Sequence, residues 1–191
     1  MLSDISAALS DLVSTLNKHQ IDYLVGGSVS SSLHGTYRTT NDIDVLLDRG
    51  LSDTPELLNE LSQFFLIDKD ALLKMHARNR AYNIFHEETA MKIDLFPGHS
   101  EFHFAQLQRA HEINLPASNC VFRIATAEDI ILAKLQWWQK QPSERQISDI
   151  CGVLAVNFKQ LDFGYLKKWA EILNVAEKLQ DLLDAAKSRG N

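Results

Sequence analysis

No apolar run in this 191-residue sequence approaches the roughly 18 residues that span a bilayer, so no membrane-crossing helix is predicted. The opening MLSDISAALSDL is acidic and amphipathic and lacks the basic start of a signal peptide, which makes the cytoplasm the expected location. Cysteine is scarce. Cys120 and Cys151 stand in apolar surroundings, with neither the spacing of a disulfide framework nor a CxxC metal site, and are expected to be buried thiols in a reducing compartment. Positive charge is also short: 19 Lys and Arg against 25 Asp and Glu give a formal charge of −6. That balance excludes a general nucleic-acid coating protein, which needs a basic surface to displace counterions from phosphates, and leaves only a local basic patch open. Two common phosphate motifs are missing, the GxxxxGK[ST] loop and the GxGxxG turn. Among the seven histidines, His99, His103 and His111 lack the HExxH spacing or a comparable carboxylate partner, so no zinc site is expected.

What is present suits one sizeable core with an appended helical part, since 45% of the residues are hydrophobic. Ile5, Leu9, Leu12, Val13 and Leu16 recur at helical spacing behind Ser3, which predicts a helix over 4–18 with Ser3 as its cap. IDYLVGG reads as a short strand, SVSSSLHG as two helical turns stopped by Gly35, and DIDVLL as a second strand. DTPELLNELSQFF predicts a helix with Pro55 in its first turn and Leu57, Leu58, Leu61, Phe64 and Phe65 as its buried stripe. AYNIFHEE and MKIDLFPG predict two strands joined by a tight turn over Glu88 to Ala90. The segment 99–117 gives no clear pattern. CVFRIA predicts one more strand, Thr126 caps a helix over TAEDIILAKLQWWQ, and 143–156, 162–173 and 175–189 are each periodic as helices. There is no internal repeat or long linker. The expected organisation is a mixed α/β core over 1–125 and a helical part over 126–191.

The chemistry concentrates in LVGGSVSSSLHGTYRTTNDIDVLL. Side chains alternate along a strand, so Asp42 and Asp44 point to one face while Ile43 points to the other. Two carboxylates in one small region repel unless a proton or a cation intervenes. Magnesium takes hard oxygen ligands from one or two carboxylates and leaves its other positions to water and phosphate, so the pair reads as a phosphate-bound metal site. The alternative is that Asp42 caps a turn and Asp44 is exposed on an edge strand. Gly26 and Gly27 end the first strand and Ser28 opens a helix, a junction where the backbone can approach a phosphate drawn by free N–H groups; an ordinary tight connection is the other reading.

These motifs, an apolar strand, Gly-Gly-Ser, thirteen intervening residues and Asp-x-Asp, resemble the nucleotidyltransferase superfamily of the DNA polymerase beta type. The resemblance implies a mixed sheet flanked by helices with a carboxy-terminal helical bundle. It also implies a third carboxylate on a later strand, which MKIDLF supplies as Asp94. The motifs run from Gly26 to Asp94, about a third of the chain.

AKLQWW followed by SERQISDI looks like the lysine helix and the Arg-x-x-x-Asp helix of the abortive-infection toxin branch. By position, Lys134 would contact the triphosphate and Asp149 would be a second polar member of the site. Taken from the residues alone, Lys134 lies among Ile130, Ile131, Trp137 and Trp138, where it needs an anion or must snorkel to water, and Arg145 with Asp149 reads equally as a surface ion pair. Arg38 matches a basic residue common before the Asp-x-Asp strand and is either a phosphate ligand or a partner of a nearby carboxylate. Lys69, Lys74, Arg78 and Arg80 read as a solvated helix face or as contacts to a nucleic-acid acceptor.

The activity implied is transfer of a nucleoside monophosphate from a nucleoside triphosphate to a hydroxyl. It would use two magnesium ions, or manganese in their place, on Asp42, Asp44 and Asp94, with Gly26, Gly27, Ser28, Arg38, Lys134 and Asp149 around the nucleotide. The acceptor implied is RNA such as tRNA, or protein, with an antitoxin as a partner. The rivals are a non-catalytic member binding nucleotide or a partner protein, and a transferase acting on a small molecule of the aminoglycoside type.

Overall fold

The computed structural model describes residues 2–50, 55–76, 78, 80–114 and 121–189. They form two compact units, one of Met1–Gly26 with Thr39–Ala125 and one of Gly27–Arg38 with Thr126–Asn191.

The first unit is built on a seven-stranded mixed sheet in the order β3-β4-β5-β2-β1-β7-β6. Its strands are β1 (Tyr23–Val25), β2 (Asp42–Leu47), β3 (Phe65–Leu66), β4 (Tyr82–His86), β5 (Lys92–Pro97), β6 (His111–Asn114) and β7 (Val121–Ile124). β2 and β5 run parallel at the centre, and the predicted hairpin joins β4 to β5 antiparallel. All three residues of β1 are buried, as expected of a short strand with neighbours on both sides. Along β2 and β5 one face is apolar, with Ile43, Val45, Ile93 and Leu95 buried. Burial of these side chains fixes the register, because a slip of one residue would turn the aspartates into the core.

Four helices complete this unit: α1 (Leu2–Lys18), α3 (Pro55–Leu61), α4 (Lys69–His76) and α5 (Glu101–Arg109). α1 buries the predicted stripe but begins at Leu2, so Ser3 lies inside the helix and does not cap it. α3 starts at Pro55 and buries Leu57, Leu58 and Leu61, then stops short of the predicted length. Phe64 is exposed, and Phe65 is buried in β3, where pairing with His86 of β4 overrides the helical pattern. The unreadable segment after His99 holds α5, capped by Ser100 and burying Phe102, Gln106 and Leu107, and then the polar edge strand β6. Asp53 and Thr54 of the predicted α3 start, and Cys120, lie outside the described residues.

The second unit is helical: α2 (Gly27–His34), α6 (Ala127–Lys140), α7 (Glu144–Asn157), a 3-10 turn over Phe158–Gln160, α8 (Phe163–Ile172) and α9 (Ala176–Arg189). Thr126 caps α6 as predicted, its hydroxyl accepting from Asp129 N at 3.2 Å. α2 ends at His34, so Gly35 follows it as the predicted stop, and packing adds a second constraint there. A Cβ there would stand 2.8 Å from the backbone of Gly152 and Val153, and a Cβ on Gly152 would press on Thr36. The two glycines let α2 and α7 approach at backbone distance. Cys151 on α7 is half-buried, more open than its apolar surroundings predict. Among the described residues no helix is long and apolar enough to cross a membrane.

Candidate active site

The parallel ladder of β2 and β5 sets Asp42 opposite Lys92 and Asp44 opposite Asp94. Neighbouring strands lie about 4.8 Å apart, so three carboxylates and one ammonium crowd a single patch of the polar face. Gly26 N donates to Asp44 O at 2.8 Å and fastens the end of β1 to this part of β2. Asp42 is held by Thr40, whose hydroxyl donates to Asp42 Oδ1 at 2.6 Å. Lys92 Nζ donates to Asp94 Oδ2 at 2.7 Å.

Asp94 Oδ1 is buried without a hydrogen-bond partner. Leaving a buried acceptor unmet costs about 1–3 kcal/mol, more when it is charged, and the natural complement of an anionic oxygen beside two further carboxylates is a hard divalent cation. Hard carboxylate oxygens are the donor type that magnesium and manganese take. Among the described residues no three carboxylate, histidine or cysteine side chains already stand around a common point. Asp42 and Asp94 are each turned to a partner of their own.

A second cluster lies in the helical unit. Lys134 is 5% exposed, so its ammonium does not snorkel. It donates to Asp149 Oδ2 at 2.7 Å and to Gln146 Oε1 at 3.3 Å. Arg38 reaches the same carboxylate across 111 positions of sequence, with Nε on Oδ1 at 3.0 Å and Nη2 on Oδ2 at 3.2 Å, and also donates to Ser28 Oγ. Burial favours the neutral acid at Asp149, but the hydrogen bonds and charges of Lys134 and Arg38 outweigh it and hold the carboxyl below its ordinary value. Lys134 and Arg38 thus share the Asp149 carboxylate.

Several sequence expectations change here. Asp149 pairs with Lys134 and Arg38, while Arg145 is exposed on α7, so the surface-pair reading is replaced by a buried bridge. Trp137 is also exposed, with Lys140 above its ring, whereas Trp138 is half-buried and Ile130 and Ile131 are buried. Gly27, the first residue of α2, has φ 52°, a backbone that side chains disfavour; Gly26 has room for a Cβ. Lys69, Lys74, Arg78 and Arg80 are all exposed. His99 and His103 pack edge to face, with ring centroids 4.6 Å apart. Lys92, Thr40 and Gln146 were not singled out from the sequence. Lys92 was legible in MKIDLF, where period-two alternation sets it on the face of Asp94.

The family model described as "Nucleotidyltransferase of unknown function (DUF6036)" matches residues 1–185. No curated protein matches the sequence. The fold is similar to the crystal structure of an antigenic nucleotidyltransferase-like protein from Paracoccidioides brasiliensis, at 19% identity and a TM-score of 0.58 over 97% of this chain and 93% of that one. At that identity the likeness is one of fold. The solution structure of the antibiotic-resistance factor ANT(2'')-Ia aligns at 13% identity and a TM-score of 0.49 over the full length of both chains.

Proposed function

The chain belongs to that family of nucleotidyltransferases, and we propose on this premise that it moves a nucleoside monophosphate from a nucleoside triphosphate to an acceptor hydroxyl, with magnesium on Asp42, Asp44 and Asp94. The observation that carries the reading is the in-register pair Asp44 and Asp94, with Asp94 Oδ1 buried and unmet. In the reaction the acceptor oxygen bonds to the α-phosphorus, the bond from that phosphorus to the bridging oxygen breaks, and its electron pair leaves with pyrophosphate. Asp94 completes the shell of one ion and helps to deprotonate the acceptor hydroxyl. Asp42 and Asp44 hold the divalent ions, which when bound supply Lewis-acid stabilisation of the attacking and leaving oxygens.

By the sequence resemblance Lys134, Arg38 and Ser28 bind the triphosphate, a role their ammonium, guanidinium and hydroxyl donors suit. Gly27 opens α2 with the backbone that a close phosphate needs. Asp149 keeps the two cations apart and oriented. RNA such as tRNA is the acceptor we favour, because Lys69, Lys74, Arg78 and Arg80 offer an exposed basic face in an otherwise acidic chain. A toxin role with an antitoxin partner rests on the sequence resemblance alone.

The test is to incubate the protein with each α-labelled triphosphate, magnesium and a cell extract, and to ask whether RNA, protein or small molecules take up label. Asp44→Asn should reduce transfer by at least ~10³-fold, about 4 kcal/mol of transition-state stabilisation, and leave the fold intact. Label on a small molecule would make the protein a transferase of the aminoglycoside kind, and label on protein would move the acceptor there. Absence of label in every fraction would favour the non-catalytic reading. A variant that transfers at the wild-type rate but melts lower would assign Asp44 to the fold.

A further inference from the structure

Lys92 stands on the carboxylate face, opposite Asp42 in the ladder, yet its ammonium runs along its own strand to Asp94 Oδ2 at 2.7 Å. Asp42 meanwhile takes the hydroxyl of Thr40. A surface ion pair between neighbours on a strand is worth little and leaves both carboxylate oxygens to water. This pair differs in that the Asp94 side chain is 14% exposed and that of Lys92 35%. Only one of the two Asp94 oxygens is served, since Asp94 Oδ1 is buried and has no partner. A lysine recruited merely to neutralise Asp94 would leave no reason for a bare buried oxygen beside it.

Resting on the reading of Asp42, Asp44 and Asp94 as a cation site, we propose that Lys92 is the positioning residue of this face. It holds Asp94 by Oδ2 and so leaves Oδ1 as the single atom through which Asp94 serves the reaction. Two consequences follow from the same ammonium. It fixes the carboxylate's orientation, which turnover needs, and it places a positive charge where a divalent cation must come, which weakens that cation's binding. The two effects have opposite signs on removal, and a residue that only supports the strand produces neither.

The experiment measures manganese binding to the full chain without nucleotide, by the loss of the free-ion spin-resonance signal, and transfer kinetics in parallel, for wild type, Lys92→Met and Lys92→Arg. Methionine keeps most of the stem volume and removes the charge. Lys92→Met should bind manganese at least about fivefold more tightly, because the repelling charge is gone. Its kcat should fall at least about tenfold through misorientation of Asp94, with KM for the triphosphate within about twofold. Lys92→Arg should return both quantities towards wild type. If Lys92→Met does not fold by circular dichroism, Lys92→Gln is measured in its place with the same expectations. Manganese affinity equal to or weaker than wild type, or an unchanged kcat, overturns the assignment of Lys92. Failure of manganese to bind wild type and variant alike overturns the cation site itself, a separate outcome from equal binding to both.

Discussion

Replacing Asp149 by asparagine tests whether the helical cluster is a balance of charges or an ordinary hydrogen-bonded corner. The carboxylate is 9% exposed and accepts from Lys134 at 2.7 Å and from Arg38 at 3.0 and 3.2 Å. Asparagine keeps the shape and one carbonyl acceptor, but it removes the charge and turns an amide donor towards two cations. Breaking a buried ion pair by removing one partner costs about 3–5 kcal/mol. Two features reduce that here: Arg38 is 23% exposed and keeps access to water, and the asparagine carbonyl retains a neutral bond. We expect a loss of about 2–3 kcal/mol. In a chain of this size each kcal/mol moves the midpoint by ~2–4 °C, so the variant should melt about 5–10 °C lower at pH 7.

The pH dependence carries the sign. The folded-state pKa of Asp149 lies below its ordinary value of 3.8, so the ionised form is favoured by folding. The stabilisation is therefore complete above the ordinary carboxylate range and is lost as the pH falls through the folded-state value. Thermal melts by circular dichroism should show the wild-type advantage constant from pH 7 to about pH 5 and shrinking below about pH 4. Inorganic tripolyphosphate should restore stability more in Asp149→Asn than in wild type, because an anion replaces the one removed. Melting within about 1 °C of wild type at pH 7 would refute the buried bridge. A difference that persists unchanged at pH 3 would show that shape rather than charge is responsible.

Two further substitutions probe the helical unit. Lys134→Met should weaken triphosphate binding at least about tenfold by titration calorimetry, with a modest loss of unliganded stability of about 1–2 kcal/mol because Asp149 keeps Arg38; unchanged affinity would return the lysine to a structural role. Gly35→Ala should cost about 1–3 kcal/mol, since its Cβ would meet backbone 2.8 Å away that no side-chain rotation relieves, whereas Gly26→Ala, with Leu24 Cδ1 at 3.7 Å as nearest neighbour, should leave the melting temperature unchanged.

The elements legible in the sequence were those whose signal is local. Thr126 before an apolar-periodic run gave α6, and alternation in DIDVLL gave β2 with the same ends the structure has. β3 was hidden because Phe64 and Phe65 extend the stripe of α3, and only pairing with β4 separates the two. α5 was hidden because Phe102, Gln106 and Leu107 make a sparse stripe among polar residues that resemble a loop. In the candidate site, the carboxylates were legible because two of them share one strand. The partner of Asp149 was not. Arg145, four residues away on the same helix, is the expectation from local geometry, and Arg38 enters only through tertiary structure. Gly35 is legible as the stop of α2, but its close packing against α7 is not, since that leaves no mark in the residues around it.

The carboxylate face is held together by the fold rather than by its own charges. Burial of Ile43, Val45, Ile93 and Leu95 on one side of the ladder, together with six residue pairs in register, holds Asp42, Asp44 and Asp94 on the other side whether or not their charges agree. The carboxylates cannot move apart without a register slip that would bury them. Lys92 meets Asp94 and Thr40 meets Asp42 within this face. In the helical unit the Asp149 carboxylate is shared by Lys134 and Arg38. Replacing a buried ion pair by neutral residues of similar shape is often neutral or stabilising, so fold stability is a weak reason for the charges of either cluster.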